Sequence, residues 1–164
     1  MIKKRTSTVE GHRRKFLAIV DDTPESTRAL LFAGLRAVHT GGAVVLLYVI
    51  TPSEFTQWVG VENIMRAEAM EAAEVALGKA ADFVRDKTGI EPQVVIREGG
   101  RSEAIVGLIE DDEDIAILVL AAGTDKEGPG PLVTALAGNA AATFPVPITI
   151  VPGNLDDESV AAVA

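Results

Sequence analysis

Two kinds of block take turns along the chain. Short apolar runs alternate with longer stretches whose apolar residues recur three or four apart. The short runs are Phe16–Val20, Ala43–Ile50, Pro92–Glu98, Ile115–Leu120 and Ile148–Val151, each of strand length. In the second of them Val44, Val45, Val49 and Ile50 are β-branched. Between the first two runs, Leu31, Gly34, Leu35 and Val38 recur at helical spacing. Thr23 suits the N-cap, Pro24 the first helical position and Glu25 the first turn, and Gly41-Gly42 ends the helix. Thr51–Gly60 reads as a loop around Trp58. Met65, Ala69, Ala72, Ala76, Ala80 and Phe83 form one stripe along a helix over Ile64–Thr88, which Gly89 stops. Ser102 can cap a third helix that turns Ile105, Leu108 and Ile109 inward. Asp111–Asp114 is an acidic turn, and Leu132–Thr143 reads as a fourth helix.

Strands and helices therefore alternate, which predicts an α/β fold: one doubly wound, Rossmann-like domain with a five-stranded parallel sheet and helices on both faces. A strand order of 3-2-1-4-5 puts the reversal between strands one and four. Ligands of such sheets bind at the carboxyl ends of the strands beside that reversal. Asp21 and the Ala121–Pro131 loop would then line one crevice.

The 164 residues are 48% hydrophobic and only 4% aromatic, which suits Val- and Ile-rich strands packed by Ala-rich helices. Net charge is −9 and the pI is near 4.7, which opposes general nucleic-acid binding. There is no cysteine, so no disulfide, thiol chemistry or thiolate metal site. No apolar run approaches the ~18 residues of a membrane span, and no signal-peptide pattern is seen, so the expected location is cytoplasmic. Residues 1–14 read as a flexible basic tail, 15–152 as the folded domain and 153–164 as a flexible acidic tail.

Asp21 closes the first strand, where a carboxylate can accept hydrogen bonds from a base or ribose or hold a metal; its neighbour Asp22 points the other way. Val20-Asp21-Asp22-Thr23-Pro24 is also reminiscent of a phosphoacceptor receiver domain. The third strand, however, ends Arg97-Glu98-Gly99-Gly100 and the fifth Ile150-Val151-Pro152, without the acceptor Asp and the Lys that such a domain requires. The loop Gly123–Pro131 has the glycine spacing of a P-loop, but Pro129 and Gly130 stand where Lys and Ser/Thr belong. Pro129 and Pro131 carry no N–H, while Gly130, Leu132 and Val133 do, and Lys126 can add a charge. This loop is either a phosphate cradle or a rigid connector. Gly138-Asn139 lies inside the fourth helix, where a glycine costs ~1 kcal/mol relative to alanine, for the sake of close packing or of an approaching ligand. His12 and His39 have no acid partner nearby in sequence and read as surface residues. No nucleophile–base set, metal cluster or catalytic dyad emerges.

These patterns resemble the universal stress protein family over about Lys15 to Pro152. The opening Phe16-Leu17-Ala18-Ile19-Val20-Asp21-Asp22-Thr23 is similar to that family's first strand and turn, and Leu46-Leu47-Tyr48-Val49-Ile50 to its second strand. Arg97-Glu98-Gly99-Gly100-Arg101-Ser102-Glu103-Ala104-Ile105 is similar to its third strand, glycine turn and helix. Ile117-Leu118-Val119-Leu120 and Phe144-Pro145-Val146-Pro147-Ile148-Thr149-Ile150-Val151 are similar to its last two strands. The resemblance implies a regulatory binding module for an adenine nucleotide, ATP or AMP, with or without Mg, in the crevice between strands one and four. Val20, Asp21 and Val49 would sit on the base side and Ala121, Gly128, Gly130, Gly138 and Asn139 on the phosphate side. Nucleotide-binding members carry Gly-x-x-Gly, nine residues, then Gly-Ser/Thr. Here Gly128 and Gly138 keep the nine-residue gap, the first glycine falls on Asp125 or Ala121, and Asn139 replaces the hydroxyl residue. The resemblance also implies a homodimer through edge strand five and at most slow ATP hydrolysis. The alternative is a nucleotide-free protein–protein adaptor of the same fold.

Overall fold

The computed structural model describes residues 3–52 and 62–164. The expected loop around Trp58 falls almost wholly outside them. Five parallel strands, β1 (Lys15–Ile19), β2 (Ala43–Ile50), β3 (Gln93–Glu98), β4 (Ile115–Ala122) and β5 (Ile148–Pro152), form one sheet in the order β3-β2-β1-β4-β5. The expected order and the reversal between β1 and β4 are both observed. Leu17 lies level with Val45 on β2 and with Leu118 on β4.

Alternation along the strands feeds two cores. Phe16, Ala18, Val44, Leu46 and Val119 face α1 (Ser26–Thr40) and α2 (Glu62–Thr88), whereas Leu17, Ile19, Val45, Leu47 and Leu118 face α3 (Arg101–Asp111) and α4 (Pro131–Ala137). Burial on both faces is why the runs are apolar throughout instead of alternating with polar residues.

Four expectations change. The fourth helix is shorter than Leu132–Thr143: α4 stops at Ala137, and Asn139–Thr143 is a separate 3-10 turn. Gly138 is therefore the break between the two and not a helix-interior residue. Thr23 does not cap α1, which starts at Ser26 with no side-chain cap, and Ser102 lies inside α3 behind Gly100. On α2 the fully buried residues are Ala73, Leu77, Ala80, Ala81 and Val84, while Ala72 is exposed and Ala76 and Phe83 are half-buried. Alanines occur on several sides of this helix, so spacing alone does not choose the inward side.

The described residues of both expected tails make contacts with the domain. Residues 157–163 form α5 (Asp157–Val163), capped by the Asp156 carboxylate, which accepts from the Ser159 N–H at 2.7 Å. Val160 is wholly buried in the same core as α1, and Arg28 pairs with Asp157 at 2.7 Å. The basic amino-terminal segment docks on the acidic turn before β4. The Arg5 guanidinium donates to the Ile109 carbonyl at 2.6 Å, Thr6 donates to Asp114 at 2.6 Å, and the His12 ring lies 2.8 Å from Asp114. His12 thus has an acid partner 102 residues away, beyond the reach of local sequence reading. Among the described residues no helix is long and apolar enough to cross a membrane.

Candidate functional site

β1 ends at the sheet reversal, and Asp21 follows it at the carboxyl edge. The Val20 N–H still bonds the Leu47 carbonyl at 2.8 Å, so the chain leaves the sheet only at Asp21. The half-buried Asp21 carboxylate accepts from the Thr23 N–H at 2.9 Å and from the Thr23 hydroxyl at 2.5 Å. This side chain-to-backbone turn aims the acid and explains why Thr23 is not available to cap α1.

Two hollows meet at Asp21, and a third adjoins them across Thr23 and Gly130. Toward β2, a slot of about 30 Å³ is bounded by Val20, Asp21, Asp22, Tyr48, Val49 and Arg101. Toward β4, a hollow of about 110 Å³ is bounded by Asp21, Thr23, Ser26, Arg101, Ala121 and Gly130, with Leu132 and Val133 of α4 behind. Outside that lies a hollow of about 560 Å³ between Thr23, Glu25, Asp125, Glu127, Gly128 and Gly130. Six expected residues are thus gathered: Val20, Asp21 and Val49 on one side, Ala121, Gly128 and Gly130 on the other. Gly138 and Asn139 are exposed and line none of these hollows, because the helix expected to carry them inward breaks at Gly138.

The β4–α4 loop is folded in on itself. Gly123 donates to the Pro129 carbonyl at 2.9 Å and Gly128 to the Asp125 carbonyl at 3.2 Å; Glu127 donates its N–H to the Asp125 carboxylate at 2.9 Å. Those amides are already committed. A side chain at Gly123 would lie 3.0 Å from the Glu25 carboxylate and 3.2 Å from the Gly128 carbonyl, so glycine here lets the loop close against Glu25. α4 has seven residues, and so short a helix offers a weaker dipole than the twelve-residue helix expected from the sequence. Glu25, Asp125 and Glu127 make the outer mouth acidic.

Arg101 is the cation of the crevice, lining both inner hollows and having no hydrogen-bond or ion-pair partner among the described residues. Reading the sequence for site residues missed it, along with Glu25 and Ser26. Its signal is its place just after the Gly99-Gly100 turn at the end of β3, on the same sheet edge as Asp21.

Carboxyl groups held below their ordinary range lie elsewhere. The Thr6 hydroxyl lowers Asp114, with His12 and Lys15 adding to it and burial opposing. Ser159 lowers Asp156, Lys87 and then Arg28 lower Asp157, and the Arg85 guanidinium lowers Glu91. These are structural pairings that hold the tails and a helix end in place, and they mark no chemistry at Asp21. Among the described residues no group of three or more His, Asp or Glu gathers as a metal site.

The pattern of the family described as "Universal stress protein family" matches residues 12–152. A search of curated proteins finds no significant match. Among solved structures, the chain is similar to the universal stress protein UspA from Lactobacillus plantarum, with 15% identity, a TM-score of 0.68, and coverage of 84% of this chain and 97% of that one. It is similar to a universal stress protein solved in complex with cAMP, with 16% identity, a TM-score of 0.56, and coverage of 86% and 98%. It is also similar to the universal stress protein from Archaeoglobus fulgidus solved in complex with dAMP, with 18% identity, a TM-score of 0.58, and coverage of 92% and 99%. At these identities the structural likeness shows the fold.

Proposed function

Because the chain belongs to the universal stress protein family, we propose that it is a regulatory binding module for an adenine nucleotide of low charge, held between β1 and β4. The observation that carries this reading is the meeting of two hollows at an oriented acid, Asp21, with Arg101 lining both. Val20 and Val49 supply an apolar seat for a base, and Asp21 is an acceptor for its amine or for a ribose hydroxyl. Arg101 neutralises about one phosphate charge. The acidic mouth of Glu25, Asp125 and Glu127 repels more, so AMP or a cyclic monophosphate suits the crevice better than metal-free ATP. The relatives solved with cAMP and dAMP are consistent with that preference. The residues fit a nucleotide in their chemistry and not in their volume. The inner hollow of about 110 Å³ lies below the roughly 300 Å³ at which ligand pockets begin. Binding then requires the Gly123–Pro129 contact to open. The expected output is a change of shape or of partner affinity.

Calorimetry tests this with AMP, cAMP and ATP on the wild type and Asp21→Ala. Saturable binding of the monophosphates, weaker binding of ATP and loss in the variant are expected. Flat traces for all three, together with no nucleotide released on denaturing the purified protein, favour the second reading, a nucleotide-free adaptor. The closed loop is the observation behind that alternative. The same proposal includes a cytoplasmic homodimer joined at β5, whose outer edge pairs with no other strand among the described residues and carries Ile150 at 39% exposure. Sedimentation of Ile150→Lys as a monomer beside a dimeric wild type would support it.

A further inference from the structure

On the other side of the β1–α1 turn, a groove of about 720 Å³ lies between α1 and α2. Its walls are the residues left over from the α2 stripe. Ala72, Ala76 and Phe83 of that stripe line it together with Leu30 of α1 and with Val75, which is 52% exposed. Among the described residues Asp21, Asp22, Glu68 and Glu71 line it as well, with Lys79 as the one cation. Ser26, itself only 8% exposed, faces it with a hydroxyl that has no hydrogen-bond partner among the described residues.

We propose that this groove binds a small organic cation with an apolar body, an alkylammonium being the simplest example. Its volume is that of a small-molecule site, which typically spans roughly 300–1,000 Å³, and its make-up is that of one: apolar walls with a few converging polar groups. Among the described residues four carboxylates face one ammonium, which sets the sign of the ligand's charge. The apolar walls exclude a bare metal ion or a fully solvated polyamine as the best fit, because neither would cover Val75 and Phe83. The Ser26 hydroxyl is positioned to accept a hydrogen bond from the ammonium group. The β1–α1 turn and Ser26 are shared with the nucleotide crevice, while the remaining walls come from Thr27 and Leu30 of α1 and from α2, so a change at Glu68 and Glu71 reads this groove and not the crevice.

Titration calorimetry with octylammonium, octanoate and octanol tests the proposal, because the three share a tail and differ in charge. One saturable site for octylammonium is expected, with octanoate bound at least about tenfold more weakly and octanol in between. The double variant Glu68→Gln, Glu71→Gln removes two exposed charges on one helix without touching the core. It should lose about fivefold to tenfold in octylammonium affinity, less at high salt, while keeping its thermal midpoint and its response to AMP. Equal affinity for octanoate and octylammonium would overturn the assignment. So would a double variant that folds and binds octylammonium as the wild type does.

Discussion

Asp21 and Thr23 are tied to each other twice, through the Thr23 N–H at 2.9 Å and the Thr23 hydroxyl at 2.5 Å, both onto one carboxylate oxygen. The acid at the sheet reversal is therefore set by a residue two positions on. Thr23→Val keeps the branched shape and loses only the hydroxyl. AMP affinity is expected to fall roughly threefold to tenfold, the worth of one net hydrogen bond. Stability should change by less than about 0.5 kcal/mol, since the residue is exposed. Calorimetry and a thermal melt on the same sample separate the two effects; unchanged affinity would detach Asp21's orientation from binding.

Arg101 has no partner among the described residues and is exposed, so removing it costs the fold little. Arg101→Ala should weaken AMP binding about tenfold and flatten its dependence on salt, while Arg101→Lys keeps the charge and recovers part of the affinity. Titrations at low and high salt read both. Equal salt slopes in wild type and Arg101→Ala would remove Arg101 from the phosphate side.

α5 is anchored by Val160, which is wholly buried against the α1 side of the sheet. Val160→Ala leaves a small void and is expected to cost about 1–3 kcal/mol. The urea midpoint should drop with an unchanged slope. An unaltered midpoint would mean that the carboxyl-terminal helix does not share the cooperative unit.

Asp114 links the amino-terminal segment to pH. Its carboxyl is held below the ordinary value of 3.8, first by the Thr6 hydroxyl and further by His12 and Lys15. A depressed folded-state value means the contribution is complete above the unfolded value and disappears as pH falls through the folded one. Thr6→Val should therefore be less stable than wild type at neutral pH, with the gap closing below about pH 4. Urea midpoints between neutral and acid pH check this; a gap that stays constant into acid would show that the hydroxyl does not act through Asp114.

The sheet was legible because its evidence is local. Strands buried on both faces must be apolar throughout, helices between them must repeat at their own period, and alternation of the two leaves few parallel topologies. The same logic brought Asp21 and the Ala121–Pro131 loop to one edge, where the structure has them. Gly138 and Asn139 were read by counting along a helix assumed to be continuous. That helix breaks because Gly138 leaves the helical path after Ala137.

The sequence by itself determined the α/β class, the five strands and the acid that closes the first of them, since periodicity and strand length are properties of neighbours along the chain. Only the tertiary structure decided which side of α2 faces the sheet, where both tails dock, that Arg101 joins Asp21, and that the glycine loop is closed. Each of these depends on complementarity between segments far apart in sequence, as His12 and Asp114 illustrate, 102 residues apart and 2.8 Å from contact atom to contact atom.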